Sequence, residues 1–224
     1  MRLLAIADEP ARELYESFDS DRWQGAGIEL VVSCGDLDIE YISFVADALR
    51  VPLAYIRGNH DARWDGEPGG EDLDGRVFAW NGLRFFGLSG SFWYNGGEYQ
   101  YSEAQARWRI VKAAPAIMLR GGVDVIVGHA PPRYCEFAYR LCAAPVGAGR
   151  LCPYRSTHNS PMICHDASDL PHRGFTAYRT LIERYHPKVF LHGHVHRSFG
   201  VGKRELKLNT TRIIDAHRYV IVDI

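Results

Sequence analysis

The chain has 224 residues, with 26 Lys and Arg against 27 Asp and Glu, so its formal charge is −1 with histidine neutral. Hydrophobic residues make up 46% and charged residues 24%, a globular composition that excludes a disordered, collagen-like or coiled-coil chain. The near-zero net charge also excludes a broad basic footprint for nucleic acid.

The apolar run at 3–7 is too short for a signal peptide, and no stretch approaches the ~20 apolar residues of a membrane span. The expected compartment is therefore the cytoplasm. Short apolar, partly β-branched runs at 3–7, 29–33 and 52–56 predict buried strands. Between the first two, Leu14 and Phe18 lie four apart in a helix-like stretch over 11–18. Between the second and third, Ile42, Val45, Ala46 and Leu49 form one helical face. The order βαβαβ predicts a parallel sheet with right-handed crossovers. Two shorter strands at 76–80 and 83–88 meet at Asn81-Gly82, a strong hairpin signal. Ser102 with Gln105 reads as a capping box opening a helix that runs toward Pro115. A buried strand follows at 123–127. Phe175, Tyr178, Leu181, Ile182 and Tyr185 then mark a helical stripe, followed by a strand at 188–192. The tail at 205–209, 212–215 and 219–223 alternates apolar and polar residues and predicts antiparallel strands.

No Gly/Ser/Pro linker divides the chain, which reads as one domain over 1–224. The stretch 131–170 is too long for an ordinary loop, so an insertion is expected at about 133–168. It carries Cys135, Cys142, Cys152 and Cys164, without a C-x-x-C pair. Free thiols are expected, rather than disulfides or a structural zinc site.

Histidines are unevenly spread: of ten, seven fall between His158 and His196. The polar residues that close the buried strands account for part of this. The strands end at Asp8, at Gly35-Asp36, at Gly58-Asn59-His60-Asp61, at Gly128-His129 and at Gly193-His194-Val195-His196. Sites in open α/β sheets form at the carboxyl ends of strands, and glycine there lets the backbone turn sharply and approach a ligand closely. Carboxylate, amide oxygen and imidazole without thiolate suit first-row divalent ions: Mn, Fe, Zn, Co or Ni. The donors are too many for one tetrahedral ion and fit two ions about 3.5–4 Å apart that share a carboxylate.

These runs, in this order after Asp8, resemble the calcineurin-like metallophosphoesterases. The resemblance spans residues 8 to 196. It implies an α/β fold: a four-layer α-β-β-α sandwich with two mixed sheets, the antiparallel tail belonging to the second. It implies two divalent metal ions, manganese foremost, with Asp8 and His196 on the first, Asp36 bridging, and Asn59, His129 and His194 on the second. His60 would lie beside the substrate phosphate, with Asp61 orienting its imidazole. The implied reaction is metal-dependent hydrolysis of a phosphate ester by attack of a hydroxide bridging the metals. A small-molecule ester is expected, a phosphodiester in preference to a monoester, and nucleic acid is disfavoured for want of a basic groove. No membrane partner is expected, and the oligomeric state is not legible.

The chain departs from the family pattern at one place. Asp8-Glu9-Pro10 stands where the family has Asp-x-His, and Pro10 offers no side-chain ligand. Its ordinary role is in the first turn of a helix over 11–18. Water in the vacant position, a swing of Glu9, or weaker binding at the first site are the three outcomes. Adjacent side chains on an extended segment point apart, which favours water over Glu9. The missing ligand also opens a competing reading, a catalytically degenerate scaffold that binds other proteins.

Four further groups of residues invite a reading. His172 and Arg173, in a run resembling an element of some bacterial members of the family, sit near a helix N-terminus suited to an anion; they read as substrate contacts or as a solvated loop leading into the helix. His192 lies on its strand and reads as a buried residue behind the ligands. His186 and His217 read as ordinary surface or loop residues. Tyr94, Asn95, Tyr99 and Tyr101, with Arg63 and Trp64, read as a pocket wall or as aromatic packing onto the sheet, the latter preferred.

Overall fold

The computed structural model describes residues 1–133, 172–195 and 204–224. The expected insertion beyond Arg133, with its four cysteines, His158 and His165, lies outside the described residues, as does His196.

The first sheet begins with β1 (Arg2–Ala7), β2 (Leu30–Ser33) and β3 (Leu53–Tyr55), as expected from their apolar runs. The three pair in parallel. A short strand, β4 (Glu71–Asp72), extends the sheet beyond β3. The connections carry α1 (Ser20–Gln24) and α2 (Ile39–Leu49). Side chains of β1 alternate between two environments, as a pleated strand requires. Leu3, Ala5 and Ala7 face the space between the sheets. Leu4 and Ile6 pack beneath the helices with Trp23, Tyr41, Ile42, Val45 and Leu49.

The helix expected over 11–18 does not form. Ala11 is extended (φ −88°, ψ 126°), and only a 3-10 turn follows at Arg12–Leu14. The α-helix starts later because Asp19 caps it, its carboxylate accepting from the amides of Asp21 and Arg22.

The hairpin of β5 (Val77–Trp80) and β6 (Leu83–Leu88) turns at Asn81-Gly82, both residues at positive φ (44° and 79°). Two minor strands, β7 (Ser91–Phe92) and β8 (Gln100–Tyr101), pair in parallel and precede α3 (Glu103–Leu119). The capping box forms as read: Ser102 Oγ accepts from Gln105 N at 3.3 Å, and Gln105 Oε1 from Ser102 N at 2.8 Å. The helix does not stop at Pro115 but carries it to Leu119. The bond lost with the proline N–H is tolerable because Val111, whose carbonyl it frees, is 57% exposed to water. Ser102→Ala removes half of the box and is expected to cost about 1 kcal/mol. A thermal melt should show Tm falling by roughly 2–4 °C in a chain of this size.

The second sheet continues with β9 (Val125–Gly128), then α4 (Thr176–Tyr185), β10 (Val189–His192), β11 (Glu205–Leu208) and β12 (Thr211–Asp215), before β13 (Arg218–Asp223). Its strand order is β11-β12-β10-β9-β6-β5, and that of the first sheet is β13-β1-β2-β3-β4. Both sheets are mixed. Phe86, Leu88, Ile126, Phe190 and Ile213 turn outward onto α3 and α4. The layers are therefore α1/α2, first sheet, second sheet, α3/α4. Among the described residues, no helix is long and apolar enough to cross a membrane.

The tail differs from its expected course in two ways. Only β11 and β12 join the second sheet, while β13 pairs antiparallel with β1 in the first. β12 also runs parallel to β10, with His192 opposite Asp215. Alternation shows that a segment is a strand but carries no information on its direction or its sheet.

Candidate metal centre

The parallel strands of both sheets deliver their carboxyl ends to one edge. The chain leaves three of them through a left-handed residue: Asp8 (φ 67°), Asp36 (φ 59°) and His194 (φ 67°). Each costs on the order of 1 kcal/mol, a cost held by backbone hydrogen bonds across the edge. Asp8 N donates to Gly35 O at 3.1 Å and Gly193 N to His129 O at 3.0 Å. Gly58 passes so close to Asp36 that a Cβ on it would land on Asp36 Oδ1 and 2.6 Å from Asp36 N.

Asp36, His129 and His194 place one ligand atom each within 4.8 Å of one another. His129 is fully buried. Its Nδ1 donates to Cys34 O at 2.8 Å, so Nε2 is the nitrogen that faces the centre. There Nε2 meets Asn59 Oδ1 at 3.1 Å and Asp36 Oδ2 at 3.2 Å. The Asn59 amide is oriented by its Nδ2, which donates to Tyr94 Oη at 3.3 Å and leaves Oδ1 facing inward. An imidazole nitrogen, an amide oxygen and a carboxylate oxygen thus converge, a grouping that suits a divalent cation. Burial alone would push the His129 imidazole toward neutrality. The adjacent Asp36 carboxylate, with Asp8 and the Cys34 carbonyl, outweighs it and raises the pKa to about 9. Asp36 is held well below the usual carboxylate range: burial opposes this, but the His129 imidazole and the His60 amide prevail.

Asp8 lies at the end of β1. Its Oδ1 accepts from His194 N at 2.8 Å, while among the described residues the buried Oδ2 receives no hydrogen bond. A buried carboxylate oxygen left this way is what a metal ligand looks like without its ion. The donor set therefore fits a divalent metal.

His60 is the open side of the centre. Its side chain is 71% exposed, with Nε2 4.0 Å from Asp36 Oδ2. Its amide donates to Asp36 Oδ1 at 2.8 Å. Asp61, expected to orient the His60 imidazole, does other work. Its Oδ2 accepts from Gly58 N at 2.7 Å and Asp36 N at 2.8 Å, tying the loops after β2 and β3 together. Burial lifts its pKa to about 6; the Gly58 amide opposes the lift and the Asp36 charge adds to it.

His172 stands at the rim, its ring 5.2 Å from that of His194. Arg173 is not a solvated arginine: it is 8% exposed, with its guanidinium 4.7 Å from the centre of the Phe92 ring. Nor is the α4 N-terminus open to an anion, because the Glu103 carboxylate accepts from Thr176 N at 3.2 Å and Ala177 N at 2.6 Å. His192 is buried on β10 as expected, and His186 is exposed at the end of α4. Tyr99 and Trp64 pack around Arg57, and Trp64 Nε1 donates to Leu37 O at 3.1 Å, so these aromatics brace the loops.

Two residues acquire positions at the centre that the sequence did not suggest. Tyr94 orients Asn59. His217, read as a surface or loop residue, is 3% exposed, with Nδ1 3.4 Å from Asp8 Oδ2. The signal was present: Thr211–Asp215 is one more apolar run that closes on polar residues, Asp215 and His217.

A four-layer sandwich with carboxylate, amide and imidazole donors meeting at its strand ends defines an α/β protein built around a metal-binding edge. The chain belongs to the calcineurin-like phosphoesterase family, whose sequence model matches residues 25–198. Asp8 precedes the matched residues and His217 follows them. Among solved structures, the chain is similar to TT1561 of Thermus thermophilus, with a TM-score of 0.59 and 15% identity over 96% of this chain and 88% of that one. It also matches wild-type Vps29 complexed with zinc from Entamoeba histolytica, with a TM-score of 0.43 and 11% identity over 100% of this chain and 86% of that one. At 15% identity the likeness to TT1561 is one of fold. No curated protein matches the sequence.

Proposed function

We propose that the protein is a metal-dependent phosphoesterase acting on a small-molecule phosphate ester, a phosphodiester in preference to a monoester. The observation that carries this reading is the convergence of Asp36, Asn59, His129 and His194 on one point beside an exposed His60. Asp36, Asn59, His129 and His194 would hold one divalent ion, and Asp8 with Asp36 and His196 a second, manganese being the favoured metal. Divalent ions there would supply Lewis acidity, offsetting charge on a phosphoryl oxygen and lowering the pKa of water.

The chain's own residues supply the rest. His60, at the open side, can donate a proton to a phosphate oxygen or to the leaving group. Asp61 holds the loop that presents both His60 and Asn59. His172, whose ring lies beside that of His194, would contact the substrate, and Arg173 is a second candidate contact next to it in the chain. The near-neutral charge favours a small ester over a nucleic acid.

Metal-stripped protein supplied with Mn²⁺ should turn over a chromogenic phosphodiester, and a monoester more slowly. Absence of turnover on either, together with absence of bound metal, would instead support a scaffold that binds other proteins.

A further inference from the structure

The Asp-Glu-Pro run leaves the first metal position one imidazole short, and the fold brings another imidazole to the same carboxylate. We propose that His217 is a ligand of the first metal, supplied from the end of β12 in place of a histidine at position 10. The proposal rests on the divalent-metal reading above.

Strand direction makes the placement possible. β12 is parallel to β10, with His192 opposite Asp215, so the chain leaves β12 at the same edge at which β10 delivers His194. A parallel bridge also joins His217 to Ala7, next to Asp8. The His217 backbone is held by its amide, which donates to Asp215 Oδ1 at 2.9 Å.

The side-chain geometry is that of a ligand pair. Nδ1 lies 3.4 Å from Asp8 Oδ2, the oxygen that receives no hydrogen bond among the described residues. Two atoms bonded to one ion at about 2.1 Å stand roughly 3.0–3.4 Å apart at octahedral or tetrahedral angles. On the far side of the ring, Nε2 is 3.8 Å from Glu9 Oε2. A carboxylate behind the distal nitrogen is the usual partner of a metal-bound imidazole: it favours the proton on Nε2 and leaves the Nδ1 lone pair for the ion. Glu9 thus serves the site through His217 rather than by swinging in as a ligand.

The test counts ions without using activity. Metal-stripped wild type titrated with Co²⁺, followed by visible absorption and chelator competition, should bind two ions. His217→Ala should keep one and bind the other at least about 100-fold more weakly. Pro10→His in the His217→Ala background, which restores the family's Asp-x-His, should recover the second ion. Two ions at wild-type affinity in His217→Ala would overturn the proposal.

A measurement on the wild type guards against a variant that does not fold. At Zn²⁺ saturation, ¹⁵N NMR of the histidine side chains should move His217 Nδ1 to a metal-bound shift. An unmoved Nδ1 beside shifted His129 and His194 resonances overturns the His217 assignment while leaving the phosphoesterase reading intact. Wild type that binds no ion at all overturns both.

Discussion

Asp36→Asn is expected to lower turnover of a phosphodiester and of a monoester by about 10³-fold or more, a loss of roughly 4 kcal/mol of transition-state stabilisation. The substitution is nearly isosteric, and its amide oxygen can still accept the His60 N–H that now meets Oδ1 at 2.8 Å. The amide nitrogen would take the place of Oδ2, which lies 3.2 Å from His129 Nε2. The Asp36 charge that holds the proton on His129 is gone in the variant. With Nδ1 still donating to the Cys34 carbonyl, Nε2 of the neutral ring becomes an acceptor to which the Asn amide can donate. The variant therefore closes the centre with a hydrogen bond where the wild type presents a carboxylate. It should fold, melt close to the metal-free wild type, and hold less metal. Elemental analysis beside steady-state kinetics checks this, and retention of a tenth or more of the activity with full metal content would refute the role given to Asp36.

Gly58→Ala is expected to lower stability by about 3 kcal/mol, because a Cβ there would strike Asp36 Oδ1 and backbone atoms rather than the end of a flexible side chain. In a chain of this size Tm should fall by roughly 6–12 °C. Gly58 is not among the glycines with positive φ, so the cost is purely steric. Turnover should fall further than the loss of folded protein explains, since Asp36 must shift, and a displacement of about 1 Å can cost 10²-fold in rate. Gly69→Ala is the matched control: no atom of the described residues lies within 4 Å of its would-be Cβ. Equal melting temperatures for the two variants would show that the loops after β2 and β3 are not pressed together as described.

Much of the arrangement was readable from the chain. The strand cores appear as short apolar runs because burial on both faces leaves no room for alternation. The centre is legible because each of the five runs closes on a polar donor, four of them with a glycine before it, and a polar donor at the end of a buried strand has few structural uses. What failed to read were features decided by competition. At 11–18, Leu14 and Phe18 have helical spacing, yet Asp19 caps a different start. At 173, the arginine reads as a substrate contact or as solvated, and the structure buries it with its guanidinium against Phe92. At 61, the family resemblance implies a carboxylate that orients His60, yet the amides of Gly58 and Asp36 claim it.

His217 marks the boundary between the two kinds of knowledge. Residue type, periodicity and turn chemistry are local properties, and from them come the strands, the donors and their convergence on one edge. The direction in which a strand runs, and the sheet it joins, depend on which backbone edges remain unpaired once the rest of the chain has packed. β12 takes the edge of β10 and runs parallel to it, and so His217 arrives beside Asp8. β13 takes the edge of β1 and closes the other sheet. Neither choice is written in the alternation of the residues concerned, because an alternating strand presents the same faces in either direction.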